Sequence, residues 1–244
     1  MKTLFTQVLK VVRNRQILIA LFILFYTNTS EANIDAGQQP ISLSPESQSS
    51  TSSGSQDSGA NFIIDLVPGG FLYSPDMDGF EVHKSGGGYY ESQSIEGYGS
   101  WMPNIRAGIR INAPAVSFDI TGGGGYLLNG AISGPFALAD LAANFHVGKK
   151  FSIGPHVGIL SFGDLDWFDF DADYVSDADI KFSGTSGLMG GLVMNIGGPT
   201  AHFYLALDYI KADFDVETDS GWIANRDNLD LTGFGLQFGL LLRF

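Results

Sequence analysis

The sequence predicts an all-β protein: an eight-stranded antiparallel up-and-down transmembrane β-barrel, preceded by a signal peptide and a disordered Ser-rich segment. Three observations predict it. Apolar residues alternate with glycine and polar residues in eight segments after residue 60, as in strands with two different faces. The connections between these segments alternate in length. After the short apolar run near the N-terminus, no stretch has the roughly 20 apolar residues of a spanning helix. If the mature protein lies in a membrane, it must therefore cross it with closed strands.

Composition narrows the class of protein. The chain has 244 residues, of which 32 are glycine, 13% are aromatic and only 16% are charged. It has no cysteine, which excludes disulfides, thiolate metal sites and a lipoprotein anchor.

The N-terminus, residues 1–32, has the layout of a secretory signal peptide. Four basic residues precede the apolar run 17–26, and Ser30 and Ala32 occupy the small-residue positions of a cleavage site. An uncleaved anchor is the alternative, but the run is too short to span. Cleavage after Ala32 removes four basic residues and one acid from the 13 and 26 of the chain, leaving 9 and 25, a net charge of −16. Such a protein repels phosphate polyanions, so we expect no nucleic-acid partner.

Residues 33–60 differ from both neighbours. They are rich in Ser and Gln and contain almost nothing to bury. Such a segment cannot offset the entropy of ordering, so we predict a disordered periplasmic tether.

Residues 61–244 contain the eight predicted strands. In the best segments every second residue is apolar, as in Leu231 to Phe244, and successive side chains of a strand point to opposite faces. The first strand is interrupted by Pro68 and two glycines, which predicts a bulge. The predicted strands are 61–73, 101–112, 116–121, 140–147, 151–159, 188–196, 202–209 and 231–244.

The connections predict the topology. Segments 112–114, 148–150 and 197–200 are short, whereas 74–97, 127–135, 162–182 and 212–230 are long. Short turns at one end and long loops at the other are typical of an outer-membrane barrel; a β-sandwich is the alternative. Because paired residues must share a face, the turn after Val147 must hold an odd number of residues and the turn around Pro114 an even number.

Aromatic residues flank the apolar bands. One group lies beside short turns (Phe145, Phe151, Phe203 and Phe244), and another near long loops (Tyr73, Trp101, Tyr126, Tyr209 and Phe234). Two such girdles mark the interfaces of a bilayer. We therefore predict that the apolar face contacts lipid.

With these features the chain resembles the outer membrane protein A type of eight-stranded barrel, including opacity-type surface proteins. The hairpin 136–159 and the ending GLLLRF carry the resemblance. It implies a monomeric, multi-pass protein of a Gram-negative outer membrane, with tether and C-terminus periplasmic. It also implies contact with outer-membrane lipid and lipopolysaccharide, and a C-terminal signal for the barrel-assembly machinery, carried by Phe238, Leu240, Leu242 and Phe244. We expect no peptidoglycan-binding domain and no wall-anchoring role.

Charges on the inward face predict a plugged polar lumen. An eight-stranded barrel is just wide enough for side chains to fill it, and unpaired buried charge is costly. We therefore expect an ion-pair network. A narrow channel for ions or small solutes is the alternative. Three histidines share this face, and their spacing predicts isolated residues rather than a metal site. The predicted network is Arg106, Arg110, Asp119, Asp140 and Asp208.

The third long loop is unusually acidic, with aromatic residues between its acids. Oxygen-rich clusters suit Ca²⁺, but the EF-hand spacing is absent. We expect a solvated acidic surface that takes part in structural or surface interactions, with weak Ca²⁺ binding or an extracellular protein or glycan partner as the alternatives. The acids are Asp164, Asp166, Asp169, Asp171, Asp173, Asp177 and Asp179.

Enzymatic activity is the last alternative. Some small barrels modify lipid A with a histidine, a serine and an acid, and His83 has Ser85, Glu81 and Asp78 nearby. Proximity in sequence shows no triad geometry, and the GxSxG motif is absent. We therefore expect no enzyme, no catalytic residue and no resident cofactor.

Overall fold

A computed structural model describes residues 59–86, 89–129, 131–167, 180–198, 200–219 and 221–244. The predicted signal peptide and almost all of the predicted tether lie outside these residues. A 3-10 helix spans Pro75–Met77. The strands are β1 (Ala60–Tyr73), β2 (Glu81–Gly86), β3 (Tyr89–Ser94), β4 (Gly99–Trp101), β5 (Asn104–Asn112), β6 (Val116–Leu128), β7 (Ile132–His146), β8 (Phe151–Phe162), β9 (Leu165–Trp167), β10 (Ile180–Phe182), β11 (Ser186–Gly197), β12 (Ala201–Lys211), β13 (Asp213–Thr218), β14 (Trp222–Ala224), β15 (Asn228–Asp230) and β16 (Gly233–Arg243).

Eight of these strands close into a barrel. Each of β1, β5, β6, β7, β8, β11, β12 and β16 pairs antiparallel with the next, and β16 pairs back onto β1. The end of the chain completes the seam, since the Phe244 amide donates to the Phe62 carbonyl at 2.9 Å. Closure leaves no barrel edge exposed, and the predicted eight-stranded fold is confirmed.

The faces of the barrel follow the predicted alternation. Outward residues such as Ile105, Leu141, Leu192 and Leu207 are exposed, whereas the residues between them are buried. The predicted bulge is also present, because the β1–β16 register shifts between Leu66 and Gly69. The shift exchanges the faces of β1: odd positions point inward before it and even positions after it.

Proline divides one predicted strand. Segment 101–112 is β4 followed by β5, with Met102 and Pro103 between them. Proline has no backbone N–H to donate to a ladder. The Met102 amide still donates to the Gly70 carbonyl at 2.7 Å, which keeps the two pieces in line against β1.

The short turns have the predicted parity. His146 faces Ser152, so three residues connect Val147 to Phe151. At the other turn Asn112 faces Ser117, and the Ala113 amide donates to the Val116 carbonyl at 2.9 Å, which leaves two residues between them.

The connections at the other end of the barrel, which were predicted to be long loops, differ from the prediction. The connection expected at 127–135 is not long, because β6 runs to Leu128 and β7 begins at Ile132. The described residues of the last two connections include short strands. The short strands β9, β10, β13 and β15 extend the barrel wall as a paired sheet beyond it.

A three-stranded cap joins the first connection to the last. Strand β2 pairs with β3 on one side and with β14 on the other. Side chains add to this junction: Ser74 Oγ donates to the Thr232 carbonyl at 2.9 Å, and Arg226 Nη1 donates to the Asp76 carbonyl at 2.7 Å. The cap therefore bridges the β1–β16 seam from above.

Within the described ranges, no helix has the length and hydropathy needed to cross a membrane.

Candidate functional site

The inner end of the lumen, beside the short turns, is organised by one buried ion pair. Arg110 and Asp119 face each other across β5 and β6. Arg110 Nε and Nη2 each donate to one carboxylate oxygen at 2.6 Å, a bidentate geometry. Asn144 Nδ2 donates to the same carboxylate at 2.8 Å, and Asn195 Nδ2 donates to Asn144 Oδ1 at 2.9 Å. The chain of contacts links four strands across the lumen.

Arg106 occupies the next level. It is 1% exposed, and its Nε lies 3.5 Å from Asp65, the residue that faces it on β1. Its Nη1 lies 4.0 Å from Asp140. The guanidinium also sits 4.6 Å from the centre of the Tyr204 ring, a cation–π distance.

His156 joins two acids at the same depth. Its Nδ1 lies 2.9 Å from Asp140 Oδ1 and its Nε2 lies 2.6 Å from Asp208 Oδ1. Gln237 Nε2 donates to the other Asp208 oxygen at 2.7 Å. All five predicted lumen residues thus lie in two connected groups. The expectation of an isolated histidine is wrong for His156, because the β7–β8 register puts it beside Asp140.

The predicted network omitted six members of these groups: Asp65, Asn144, Asn195, His156, Tyr204 and Gln237. Asp65 was missed because the bulge in β1 reverses the alternation and hides which face it occupies. His156 and Gln237 lie on the predicted inward face, so their parity was the available signal. What the sequence did not show was the stagger between strands, which decides which inward residues meet.

The outer half of the barrel interior is apolar, a departure from the predicted polar lumen. Leu138, Leu160, Met189 and Ile210 are buried in one cluster with residues of the cap and the extended strands, including Phe80, Phe182 and Phe214. Where the apolar and polar levels meet, a cavity of about 10 Å³ remains. A single water needs about that much space, so side chains fill this level almost completely.

The acidic loops project above this cluster. Strand β13 alternates strictly: Phe214 is buried, whereas Asp213, Asp215 and Glu217 are exposed. Of the predicted loop-three acids, Asp164 and Asp166 are described and exposed, and Asp164 accepts a hydrogen bond from the Gly184 amide at 2.8 Å. Residues Asp169, Asp171, Asp173, Asp177 and Asp179 lie outside the described residues.

No metal site is formed in the described part of the chain, where no group of three or more His, Asp or Glu side chains is arranged to hold an ion. The weak Ca²⁺ site expected at loop three stays a prediction.

His83 lies in the middle of β2, in the cap. Its backbone faces Ser92 on β3 and Ile223 on β14. Asp78 accepts a hydrogen bond from the Gly97 amide at 2.9 Å. The negative charge of Asp78, followed by its hydrogen bond, raises the pKa of the exposed Tyr98 hydroxyl above its usual value.

The closed antiparallel pairing of the eight long strands defines the fold. The chain has the fold of an eight-stranded outer-membrane β-barrel. No protein-family model and no curated protein matches it in sequence. Solved structures with a similar trace include Neisserial surface protein A, with a TM-score of 0.41, 11% identity, and coverage of 76% of this chain and 99% of that one. They also include Ail, the attachment invasion locus protein of Yersinia pestis, with a TM-score of 0.35, 12% identity, and coverage of 76% and 97%. Likeness at this level carries no argument about function, and the fold rests on the strand pairing described above.

Proposed function

We propose that the chain is a non-conducting integral barrel of the outer membrane whose outer end displays a rigid, acidic, β-structured surface to partners. The exposed apolar band and its aromatic girdles contact lipid and lipopolysaccharide. The short turns, the tether and the C-terminus lie on the periplasmic side. The outward residues Phe238, Leu240, Leu242 and Phe244 are presented to the barrel-assembly machinery. The protein acts as a monomer.

One observation carries the non-conducting role: the interior is blocked at two consecutive levels. The charged level is cross-linked by Arg106 and His156 to acids on three other strands, β1, β7 and β12. The level above it is an apolar cluster, with a cavity of only about 10 Å³ where the two levels meet. Ion passage would require disruption of both levels, and an ion meeting the apolar one would lose its hydration at high cost.

Planar-bilayer recording of the purified protein tests this role. We expect no steady current. The double variant M189A/Q237A removes two side chains that line the narrow level and serves as an opened control; L192A, an outward substitution, is the matched control. A steady current from wild type that matches M189A/Q237A would establish the narrow channel instead.

The acidic outer surface supports the interaction role. Its carboxylates are fixed on paired strands rather than on a free loop, since β13 pairs with both β10 and β15. A rigid array loses little entropy on binding and attracts cationic partners by charge. We propose a basic protein surface as the partner, with a glycan or Ca²⁺ bound at the neighbouring loop as the other outcomes.

Intact cells test the surface role and the sidedness together. A fluorescent oligolysine peptide should bind wild-type cells and bind the variant D213N/D215N/E217Q less, because three exposed acids are lost. The matched control D35N/E46Q/D57N removes three acids from the tether, which we place in the periplasm, and should bind as wild type does. Equal binding by both variants would contradict the proposal, as would a loss confined to the tether variant.

The enzyme alternative has its own test. Substitution of His83 by Ala should leave the lipid A profile unchanged in mass spectrometry. A profile that changes in step with this substitution would make the protein a lipid-modifying enzyme.

A further inference from the structure

A cavity opens at the end of the barrel beside the short turns. Its volume is about 290 Å³, close to the lower limit for small-ligand sites. It lies on the far side of the Arg110–Asp119 pair from the apolar cluster, so the plug does not fill it. Its titratable lining residues are Arg110, His146, Lys149, Lys150, His202 and Arg243.

The charge of this cavity is opposite to that of the protein. Four of the nine Lys and Arg residues after Ala32 line it, and no carboxylate side chain does. Arg110 is neutralised by Asp119. Among the described residues, Lys149, Lys150 and Arg243 form no ion pair. Residues after Ala32 carry 9 basic and 25 acidic side chains, a net charge of −16. Against this background the cavity has a local excess of positive charge in a concave site, where field lines concentrate.

Three of the residues that line the cavity also have a buried polar atom without a hydrogen-bond partner in the described part of the chain. His146 bonds Ser117 through Nε2 at 3.2 Å, but its Nδ1 has no partner in the described part of the chain. The same holds for Nδ1 of His202 and for Oδ1 of Asn195, a side chain that is 1% exposed. Buried polar groups are normally satisfied. An imidazole Nδ1 that carries a proton can donate to a bound anion, whereas Asn195 Oδ1 only accepts hydrogen bonds and does not favour one.

We propose that this cavity binds a small oxyanion of the phosphate class. Guanidinium, ammonium and imidazole groups are the donors that bind phosphate oxygens, and a lining without carboxylate side chains repels no anion. The ligand is either a free phosphate or the phosphate of a phospholipid headgroup at the barrel rim, since Lys149 and Lys150 are exposed on the turn beside the bilayer.

Phosphate titration of the folded protein in an uncharged detergent tests the site. Inorganic phosphate is followed by isothermal calorimetry and by ³¹P line broadening, with chloride replacing it at constant ionic strength. The variants are K149Q/K150Q and R243Q. The matched control is K181Q/K211Q, which removes two exposed lysines from the opposite end. Heat-modifiable gel mobility verifies that each variant is folded.

We expect millimolar or tighter phosphate binding by wild type and by the K181Q/K211Q control. Each site variant should bind at least about tenfold more weakly, a change of about 1.4 kcal/mol. Absence of binding above the chloride background overturns the proposal, and so does equal weakening in the control or unchanged binding in both site variants.

A second arm separates the two sources of phosphate. In nanodiscs of phosphatidylglycerol, a headgroup ligand would occupy the cavity and weaken binding of free phosphate relative to phosphatidylcholine nanodiscs. Equal affinity in the two lipids identifies a soluble anion as the ligand.

Discussion

Substitution of Asp119 by Ala should be among the most damaging single changes in the barrel. It leaves Arg110 buried without its bidentate partner and removes the acceptor of Asn144. Breaking one side of a buried pair costs about 3–5 kcal/mol. Because Arg110 also lines the water-accessible cavity at the short turns, it can recover part of its hydration. We therefore expect the lower end, about 3 kcal/mol, or about two decades in the unfolding equilibrium.

Urea unfolding in detergent, followed by the fluorescence of the three tryptophans, measures this loss. Asp215 provides the matched control, because it is exposed on β13; its substitution by Ala should change stability by less than about 0.5 kcal/mol. The paired variant R110M/D119L replaces both charges by apolar groups and should recover most of the loss. A D119A cost below about 1 kcal/mol would refute the view that this pair is buried and tightly coupled.

Three further predictions concern the wall and the cap. Substitution of Gly123 by Ala should prevent closure of the barrel, because a Cβ there would overlap a backbone carbonyl of β5. The control Gly122→Ala should fold, since the nearest atom to a Cβ at that position is 3.7 Å away. Gel mobility after refolding distinguishes the two variants. Substitution of the lipid-facing Leu207, 51% exposed, by Arg should cost about 2–4 kcal/mol in a bilayer, and unchanged stability would argue against lipid contact there. Substitution of Asp78 by Asn should lower the pKa of Tyr98 toward its usual value near 10, measured by phenolate absorbance at alkaline pH; an unchanged titration would exclude the charge of Asp78 as its cause.

The barrel could be predicted from the sequence because its signal is local. In β6 and β16, for example, each residue's face follows from its neighbour, and one buried or exposed position fixes the whole strand. The turn parities at Val147 and Pro114 follow from the same rule. This logic fails where the backbone breaks the alternation, which is why the bulge in β1 hid Asp65.

The outer half could not be predicted in the same way. Leu138 and Ile210 are apolar and point inward, and their sequence looks the same as that of lipid-facing residues. Only the cap that covers them decides that they are buried in protein. The pairing of β2 with β14 joins residues about 140 positions apart, and no local pattern reports contacts of such separation.

The candidate sites could be predicted only where a single hairpin forms them. Arg110 and Asp119 are opposite each other in one hairpin, so their pairing could be worked out from the turn. The contact of His156 with Asp208 depends on the combined stagger of three strands, which no single turn fixes. The basic cavity brings together Lys149, from the turn after β7, and Arg243, from the end of β16, and was not visible in the sequence.

The cap that spans the β1–β16 seam also acts as a latch. A barrel whose first and last strands are held only by their ladder can unzip sideways and pass a lipid or an emerging strand through the gap. Here the strands cannot part without also tearing β2 from β14 and releasing Arg226 from the Asp76 carbonyl. Sideways opening is therefore blocked at the capped end, and any such movement would have to begin at the end beside the short turns.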